Sequence, residues 1–151
     1  MQAAIRNLET GKWAWFDLED VLDVEELEER LAEELGEGEY KVIDVDDMPF
    51  FTDLEELVDY AQGYFEHGEP WRVYVESEGV LDEAAFEEAF VGKYSTETEF
   101  VRTLLEDTGE LGQIPDYLRY YIDYQALARD LFIADYWEAE HNGMIYVFRR
   151  W

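Results

Sequence analysis

The sequence predicts an α+β protein made of a chain of three small subdomains. Short runs rich in Trp, Val and Tyr with strand-like alternation stand near both ends of the chain. Between them lie stretches whose apolar residues recur at helical spacing. Near the end, Asn142-Gly143 separates two apolar–polar runs, the strongest short-range hairpin signal. The expected parts are 1–50 (N-terminal ββαβ), 51–89 (mainly helical) and 90–151 (a three-stranded sheet with helices).

Residues 3–8 and 13–18 read as two strands around a turn carrying Thr10-Gly11, with Trp13, Trp15 and Phe16 as good strand formers. A helix follows. Asp23 can cap it, Val24, Leu27, Leu31 and Leu35 form one apolar stripe, and Gly36 ends it. Tyr40 to Val45 is the third strand.

Asp46-Asp47-Met48-Pro49 breaks the pattern. Thr52 with Glu55 reads as a capping box, opening a helix that buries Leu54, Leu57, Val58, Ala61, Tyr64 and Phe65. His67-Gly68-Glu69-Pro70 stops it. Residues 71–77 fit two readings: Val73 and Val75 alternate as in a strand, and a short helix also accommodates them. Asp82 then caps an acidic helix with Ala85, Phe86 and Ala89 inward and Glu83, Glu87 and Glu88 outward.

Phe90–Tyr94 is a short strand. Thr96-x-x-Glu99 is a second capping box, before a helix with Phe100, Val101, Leu104 and Leu105 inward. Gly109 and Gly112 punctuate a loop to Pro115, and Asp116 to Tyr121 makes about one helical turn. Asp123 caps a helix burying Tyr124, Leu127, Ala128, Leu131 and Phe132. The hairpin 135–140 and 144–149 closes the chain.

Charge dominates the composition. Thirty-nine Asp and Glu face eleven Lys and Arg, a net charge of −28 over 151 residues. The excess is uneven: residues 1–110 hold 33 carboxylates against 7 cations, and residues 111–151 hold 6 against 4. A charge of about 2 to 8 in magnitude keeps a small domain soluble, and self-repulsion beyond it destabilises a compact chain. A strongly basic partner surface is the simplest counterweight. With 48% apolar and 17% aromatic residues the chain is folded rather than a disordered acidic tail.

Several chemistries are excluded. Without cysteine there is no disulfide, thiolate nucleophile or Cys-ligated zinc. No apolar run approaches the roughly 18 residues of a membrane span, and MQAAIRNLETGK lacks the apolar core of a signal peptide. A cytoplasmic protein without membrane contact is expected. Nucleic acid is not an expected ligand, since phosphates would meet like charge. His67 and His141 fall in expected loops, far apart in sequence, and read as solvated. No HExxH, P-loop or GxSxG is present. Asp44-Val45-Asp46-Asp47 fails as a calcium loop, because Pro49 stands where an EF-hand needs Gly. With so many carboxylates no pair singles itself out as catalytic. No enzyme activity, cofactor or metal is expected.

The acidic helix faces carry the functional reading. Only Lys12, Lys41 and Lys93 are lysines, so i,i+4 Glu–Lys pairing is mostly missing. Like charges take those positions: Glu25 with Glu29, Glu29 with Glu33, Glu55 with Asp59, Glu83 with Glu87. Adaptation to high salt also raises Asp and Glu and lowers Lys, and a generic acidic or salt-adapted interaction protein is the alternative. Salt adaptation should coat the whole surface, however, and the last 41 residues hold ten aromatics and almost no net charge. They read as a core and self-association module. Duplex DNA carries about one charge per 1.7 Å of axis, so −28 matches roughly 48 Å, or about 14 base pairs.

The run Phe86-Glu87-Glu88-Ala89-Phe90-Val91-Gly92-Lys93-Tyr94-Ser95 resembles the E-A-[FY]-x-G-x-Y-x-S stretch of ArdA-type antirestriction proteins. Leu111-Gly112-Gln113-Ile114-Pro115 follows. Then Tyr120-Tyr121-Ile122-Asp123-Tyr124-Gln125-Ala126-Leu127-Ala128-Arg129-Asp130-Leu131 resembles the same family's long I-P…Y-I-D-Y-x-A-x-A-R-D-L stretch. Gly11-Lys12-Trp13…Asp17-Leu18 fits more loosely. Residues 71–77 are more strand-like than the helical middle part of that family.

The resemblance implies an elongated, acidic homodimer borne by phages or mobile elements. It implies a mimic of DNA that fills the DNA groove of a type I restriction–modification enzyme, formed by the specificity subunit of its methyltransferase core, and so protects incoming DNA. It implies three subdomains, a C-terminal dimer contact and no catalytic residue. The expected DNA-like surface comprises Asp17, Glu19, Asp20, Glu25, Glu26, Glu29, Glu33, Asp53, Glu55, Glu56, Asp59, Glu83, Glu87, Glu88, Glu97, Glu99, Asp107 and Glu110. The expected dimer contact comprises Phe90, Tyr94, Tyr120 and Tyr121.

Overall fold

A computed structural model describes residues 1–150. The fold is mixed α+β, with α-helices and two three-stranded antiparallel sheets. The chain forms two compact units, Met1–Glu83 and Ala84–Trp151.

In the first unit, β1 (Gln2–Asn7) is the central strand, flanked by β2 (Trp13–Asp17) and β3 (Tyr40–Asp46) in the order β2-β1-β3. Ala3, Ile5, Phe16 and Val42 are buried on one face of this sheet. Asn7 lies on that face and is itself fully buried. Its Nδ2 donates to the Leu35 carbonyl at 2.9 Å and to the Gly36 carbonyl at 3.1 Å, so the end of α1 (Val24–Leu35) lies on the buried side. Asp23 caps α1 as its sequence predicts, accepting from the Glu26 N–H at 2.8 Å. Leu27, Leu31 and Leu35 are buried, each stabilising by about 1.5–3 kcal/mol. Val24 is only half-buried.

Helix α2 (Leu54–His67) starts one residue later than a Thr52 cap implies. Asp53 is the N-cap, accepting from the Glu55 N–H at 2.9 Å; its carboxylate does what Thr52 was expected to do. The buried stripe contains Tyr60 and Gly63 beside Leu57, Val58 and Ala61, while Phe65 is exposed. Tyr60 lies on a different side of the helix from Phe65, and its burial, with its ring 5.4 Å from Phe51, widens the inner face beyond the stripe the periodicity marks.

Residues 71–77 are helical, within α3 (Glu69–Glu78). Pro70 sits in the first turn, where its missing N–H costs nothing, and Gly79 closes the helix in the left-handed conformation at φ 72°. Trp71, Tyr74 and Val75 bury one helical face; Val73 is buried as well, and it makes the run look alternating.

Helix α4 (Glu83–Ala89) leads into the second unit, where β4 (Phe90–Tyr94), β6 (Met144–Arg149) and β5 (Tyr136–His141) form a sheet in the order β4-β6-β5. Asn142 and Gly143 join β5 to β6 with φ of 54° and 76°, the pair of positive values a two-residue hairpin turn needs. On one sheet face Val147 joins Phe100, Val101 and Leu105 of α5 (Glu97–Asp107) and Ala128 of α6 (Tyr124–Ala134) in a core. Phe100 anchors it, its ring centroid 5.1 Å from Tyr94, 5.5 Å from Phe132 and 4.9 Å from Tyr136. Phe148, the next residue along β6, points to the other face and stacks on Trp137 at 4.3 Å, with Phe90 5.5 Å away. Two short 3-10 turns, Glu110–Gln113 and Asp116–Tyr121, connect α5 to α6. No helix among the described residues is long and apolar enough to cross a membrane.

Candidate functional site: acidic helix faces

Within the first unit, amphipathic folding fixes the acid outside. Burying Leu27, Leu31 and Leu35 turns Glu25, Glu29 and Glu33 of α1 to solvent. Burying Leu57, Val58 and Tyr60 does the same for Glu55, Glu56 and Asp59 of α2. Asp17, Glu19 and Asp20, after β2, are exposed too, as is the cap Asp53. In the second unit Glu87 and Glu88 of α4, Glu99 of α5, and Asp107 and Glu110 after it are exposed.

Three of the expected surface carboxylates are only half-exposed. Glu26 accepts from Arg30 at 2.9 Å and from the Leu22 N–H at 2.9 Å, so it fastens the start of α1. Glu83 lies 2.8 Å from His67 Nε2. A hydrogen bond shared with Glu66, then burial, raise the Glu83 carboxyl above its ordinary value, and His67 pulls it back. His67 is therefore not a solvated loop residue: it ends α2, with its side chain 17% exposed and its ring 6.4 Å from Trp71. Ligand atoms of Glu66, His67 and Glu83 lie within 4.8 Å of one another, close enough to share a divalent cation. His141, likewise expected in a loop, ends β5 with its ring 6.2 Å from Tyr146.

Glu97 is the third. Its partner is Glu138 on β5, a residue that carries no signal in the sequence. Burial, then the hydrogen bond with Glu97, then Glu140, push the Glu138 carboxyl up to about 7. Glu99, two residues along, goes the other way. Its carboxylate accepts from the Ser95 hydroxyl and, at 2.7 Å, from the Ser95 N–H, and these bonds hold it below the ordinary carboxylate range. The Thr96 hydroxyl accepts from the Glu99 N–H at 3.1 Å, completing a capping box as its sequence predicts.

Cations neutralise little of this surface. Arg72 pairs with Asp47 at 2.9 Å and Glu76 at 3.2 Å, and Arg119 with Asp116 at 3.4 Å. None of those acids belongs to the expected surface set. A cleft of about 520 Å³ opens in the first unit, lined by Glu28, Glu37, Glu39 and Tyr40 over Ala32, Gly38 and Leu54. Burial and the neighbouring carboxylates Glu37, Glu28 and Glu9 raise the Tyr40 phenol. Such walls favour a cationic group over an anion.

The aromatic residues expected at a dimer contact divide into two kinds. Phe90 and Tyr94, on the edge strand β4, spend part of their surface inside their own unit: Phe90 stacks on Phe86 at 5.5 Å and Tyr94 meets Phe100 in a tilted contact at 5.1 Å. Tyr120 and Tyr121 are 91% and 81% exposed.

Residues 10–146 match the family model described as antirestriction protein (ArdA). No curated protein matches the chain.

Proposed function

The chain belongs to the antirestriction protein (ArdA) family, and from that premise we propose that it inhibits a type I restriction–modification enzyme by imitating duplex DNA. Its carboxylates occupy the positive groove that the specificity subunit of the methyltransferase core offers to DNA, and incoming phage or mobile-element DNA is spared. The reading assigns the protein no catalytic residue and no cofactor. It keeps three parts, 1–50, 51–89 and 90–151, the last making a homodimer that doubles the charge on offer.

One observation carries this reading: rows of exposed carboxylates at like-charge spacing, Glu25–Glu29–Glu33 and Glu55–Asp59, that no lysine answers. Each such pair costs a few tenths of a kcal/mol in the free protein. That cost is relieved when a basic groove covers the row.

The test is displacement of a DNA duplex from a type I methyltransferase core over a salt series. Because counterions are released with each paired charge, affinity should fall steeply and log-linearly with salt. A flat response between low and moderate salt overturns the mimic. Glu29→Gln alone should be nearly silent, exposed ion pairs being worth about 0–1 kcal/mol. Replacing Glu25, Glu29 and Glu33 together should weaken displacement. A salt-adapted protein without this target would show no displacement at any salt.

A further inference from the structure

One face of the N-terminal sheet is unlike the rest of the acidic first unit. Pairing sets Trp13 of β2 opposite Arg6 of β1, and Arg6 opposite Lys41 of β3. Directly paired residues share a face, so Trp13, Arg6 and Lys41 form one row across all three strands. Trp15, two residues on from Trp13, stands on the same face in the next row, opposite Ala4. This is the side away from α1. Trp13 and Trp15 are 54% and 43% exposed, and Arg6 and Lys41 are exposed as well. Across Ala4 from Trp15 stands Asp44, and the far end of the face carries Asp17 and Asp46 across Gln2, so charge changes sign along it, from the Trp13–Arg6–Lys41 end to the acidic one.

The first unit holds five cations among 26 carboxylates. Arg30 and Arg72 are paired. Arg6, Lys41 and Lys12, the neighbour of Trp13, make no ion pair among the described residues. In so acidic a unit, cations left unpaired and set together beside two exposed indoles are not explained by folding. Scattered exposed apolar residues need no explanation, but a cross-strand group of Trp and Arg has the composition of an interface hot spot.

We propose that this open sheet face is a second docking surface of opposite character, which contacts a carboxylate-bearing, partly apolar protein surface on the target enzyme beside its DNA groove. It rests on the DNA-mimic reading above and adds what DNA cannot offer: cations and indoles. The acidic helices make the chain attractive to any basic groove. The Trp13–Arg6–Lys41 row restricts it to grooves flanked by a matching acidic surface, and so sets specificity.

Charge reversal separates this surface from mimicry because the two predict opposite signs. R6E/K41E takes the net charge from −28 to about −32, making the protein more DNA-like. If the groove were the whole interface, the variant would displace DNA from the methyltransferase core at least as well as wild type. With the sheet face engaged it should do so about tenfold less well or worse. W13A/W15A, which leaves charge unchanged, should lose a similar factor. Both variants should bind immobilised polylysine as well as wild type; R6E/K41E should also keep its melting temperature, since both cations are exposed, whereas W13A/W15A, which uncovers the buried Ala4, is compared at a temperature where it and wild type are both folded.

Displacement by R6E/K41E equal to or better than wild type overturns the inference and leaves the mimic reading standing. A wild type that displaces no DNA overturns both. A changed sedimentation coefficient for either variant would make the face a contact between copies of this chain, against the proposal. Binding of a labelled single-stranded oligonucleotide by wild type and not by W13A/W15A would make it a nucleic-acid platform, also against it.

Discussion

Trp71 occupies the space where a side chain at residue 63 would begin. A β-carbon on Gly63 would stand 2.4 Å from Trp71 Cε2 and 2.5 Å from its Nε1, and that same Nε1 donates to the Tyr60 carbonyl at 2.9 Å. The glycine in α2 and the indole in α3 thus lock the two helices at contact distance. Tyr60 lies fully buried beside them, and burial raises its phenol well above the ordinary value.

Gly63→Ala tests that lock. In an exposed helix the change would stabilise by about 1 kcal/mol. Here the new methyl meets a rigid ring, and overpacking costs about 1–3 kcal/mol, to which loss of the indole hydrogen bond adds about 1 kcal/mol. The steric effect wins, and the variant should be less stable by about 1–3 kcal/mol. Urea unfolding read by tryptophan fluorescence measures it. A stability equal to or above wild type would mean that Trp71 yields easily.

Asn7 makes a second tie, and a polar one. Its amide group donates to the carbonyls of Leu35, Gly36 and Glu37, while its Oδ1 accepts from the Glu9 N–H at 2.9 Å. Asn7→Ala leaves buried partners unsatisfied and should cost about 2–4 kcal/mol. Asn7→Asp keeps the shape and turns a donor into a carboxylate facing three carbonyls. It should be worse than Ala at neutral pH and recover partly in acid, where a protonated carboxyl donates again. Equal stability of the Asp variant at both pH values would count against this account of α1 docking.

Local signals were the legible ones. Asp23, Thr96 and Asp123 each cap the helix their position predicts, with the Asp123 carboxylate accepting from the Ala126 N–H at 3.0 Å. Asn142-Gly143 makes the hairpin. What the sequence hid depends on partners distant along the chain or on inner faces that depart from the periodic stripe. Trp71–Val75 alternates and yet is helical, because Val73 is buried too. Phe65 continues the Leu54–Val58–Ala61 stripe and yet is exposed, while Tyr60, on another side of the helix, is buried. The carboxylate faces were readable from periodicity alone, but the withdrawal of Glu83 and Glu97 into pairs was not. His67 lies 16 residues from Glu83, and Glu138 reaches Glu97 only through the packing of β5 beside α5.

That last pair predicts a pH dependence. The folded protein raises the Glu138 carboxyl from its ordinary 4.5 to about 7, so ionising it costs more folded than unfolded. Its contribution to stability is whole below about pH 4.5 and is lost as pH rises through about 7. Glu138→Gln removes the ionisation. The variant should therefore melt above wild type at pH 8, and the gap should close as the pH falls toward 4.5. Thermal scans of both proteins across that range measure it. A gap that widens toward acid would reverse the assignment.

The dimer is best tested where exposed aromatic surface is largest. Tyr120 and Tyr121, 91% and 81% exposed, share a 3-10 turn with Tyr117 at 69% and Leu118 at 41%. Aromatic clusters of this kind are enriched in the buried centres of protein interfaces. A substitution such as Phe90→Asp is a poor probe, since it would break the stack on Phe86 and the contact with Phe148 and so disrupt the sheet that is being tested. Tyr120→Asp with Tyr121→Asp touches no core contact and should leave the melting temperature within a few degrees of wild type. In sedimentation at micromolar concentration the wild type should be a dimer and the double variant a monomer. With about 14 base pairs' worth of charge instead of twice that, the monomer should displace DNA less strongly without losing all binding. A monomeric wild type refutes the dimer. An unchanged dimer in the double variant moves the contact to the edge of β4, where Tyr94 and the open backbone of an edge strand offer the other surface for pairing.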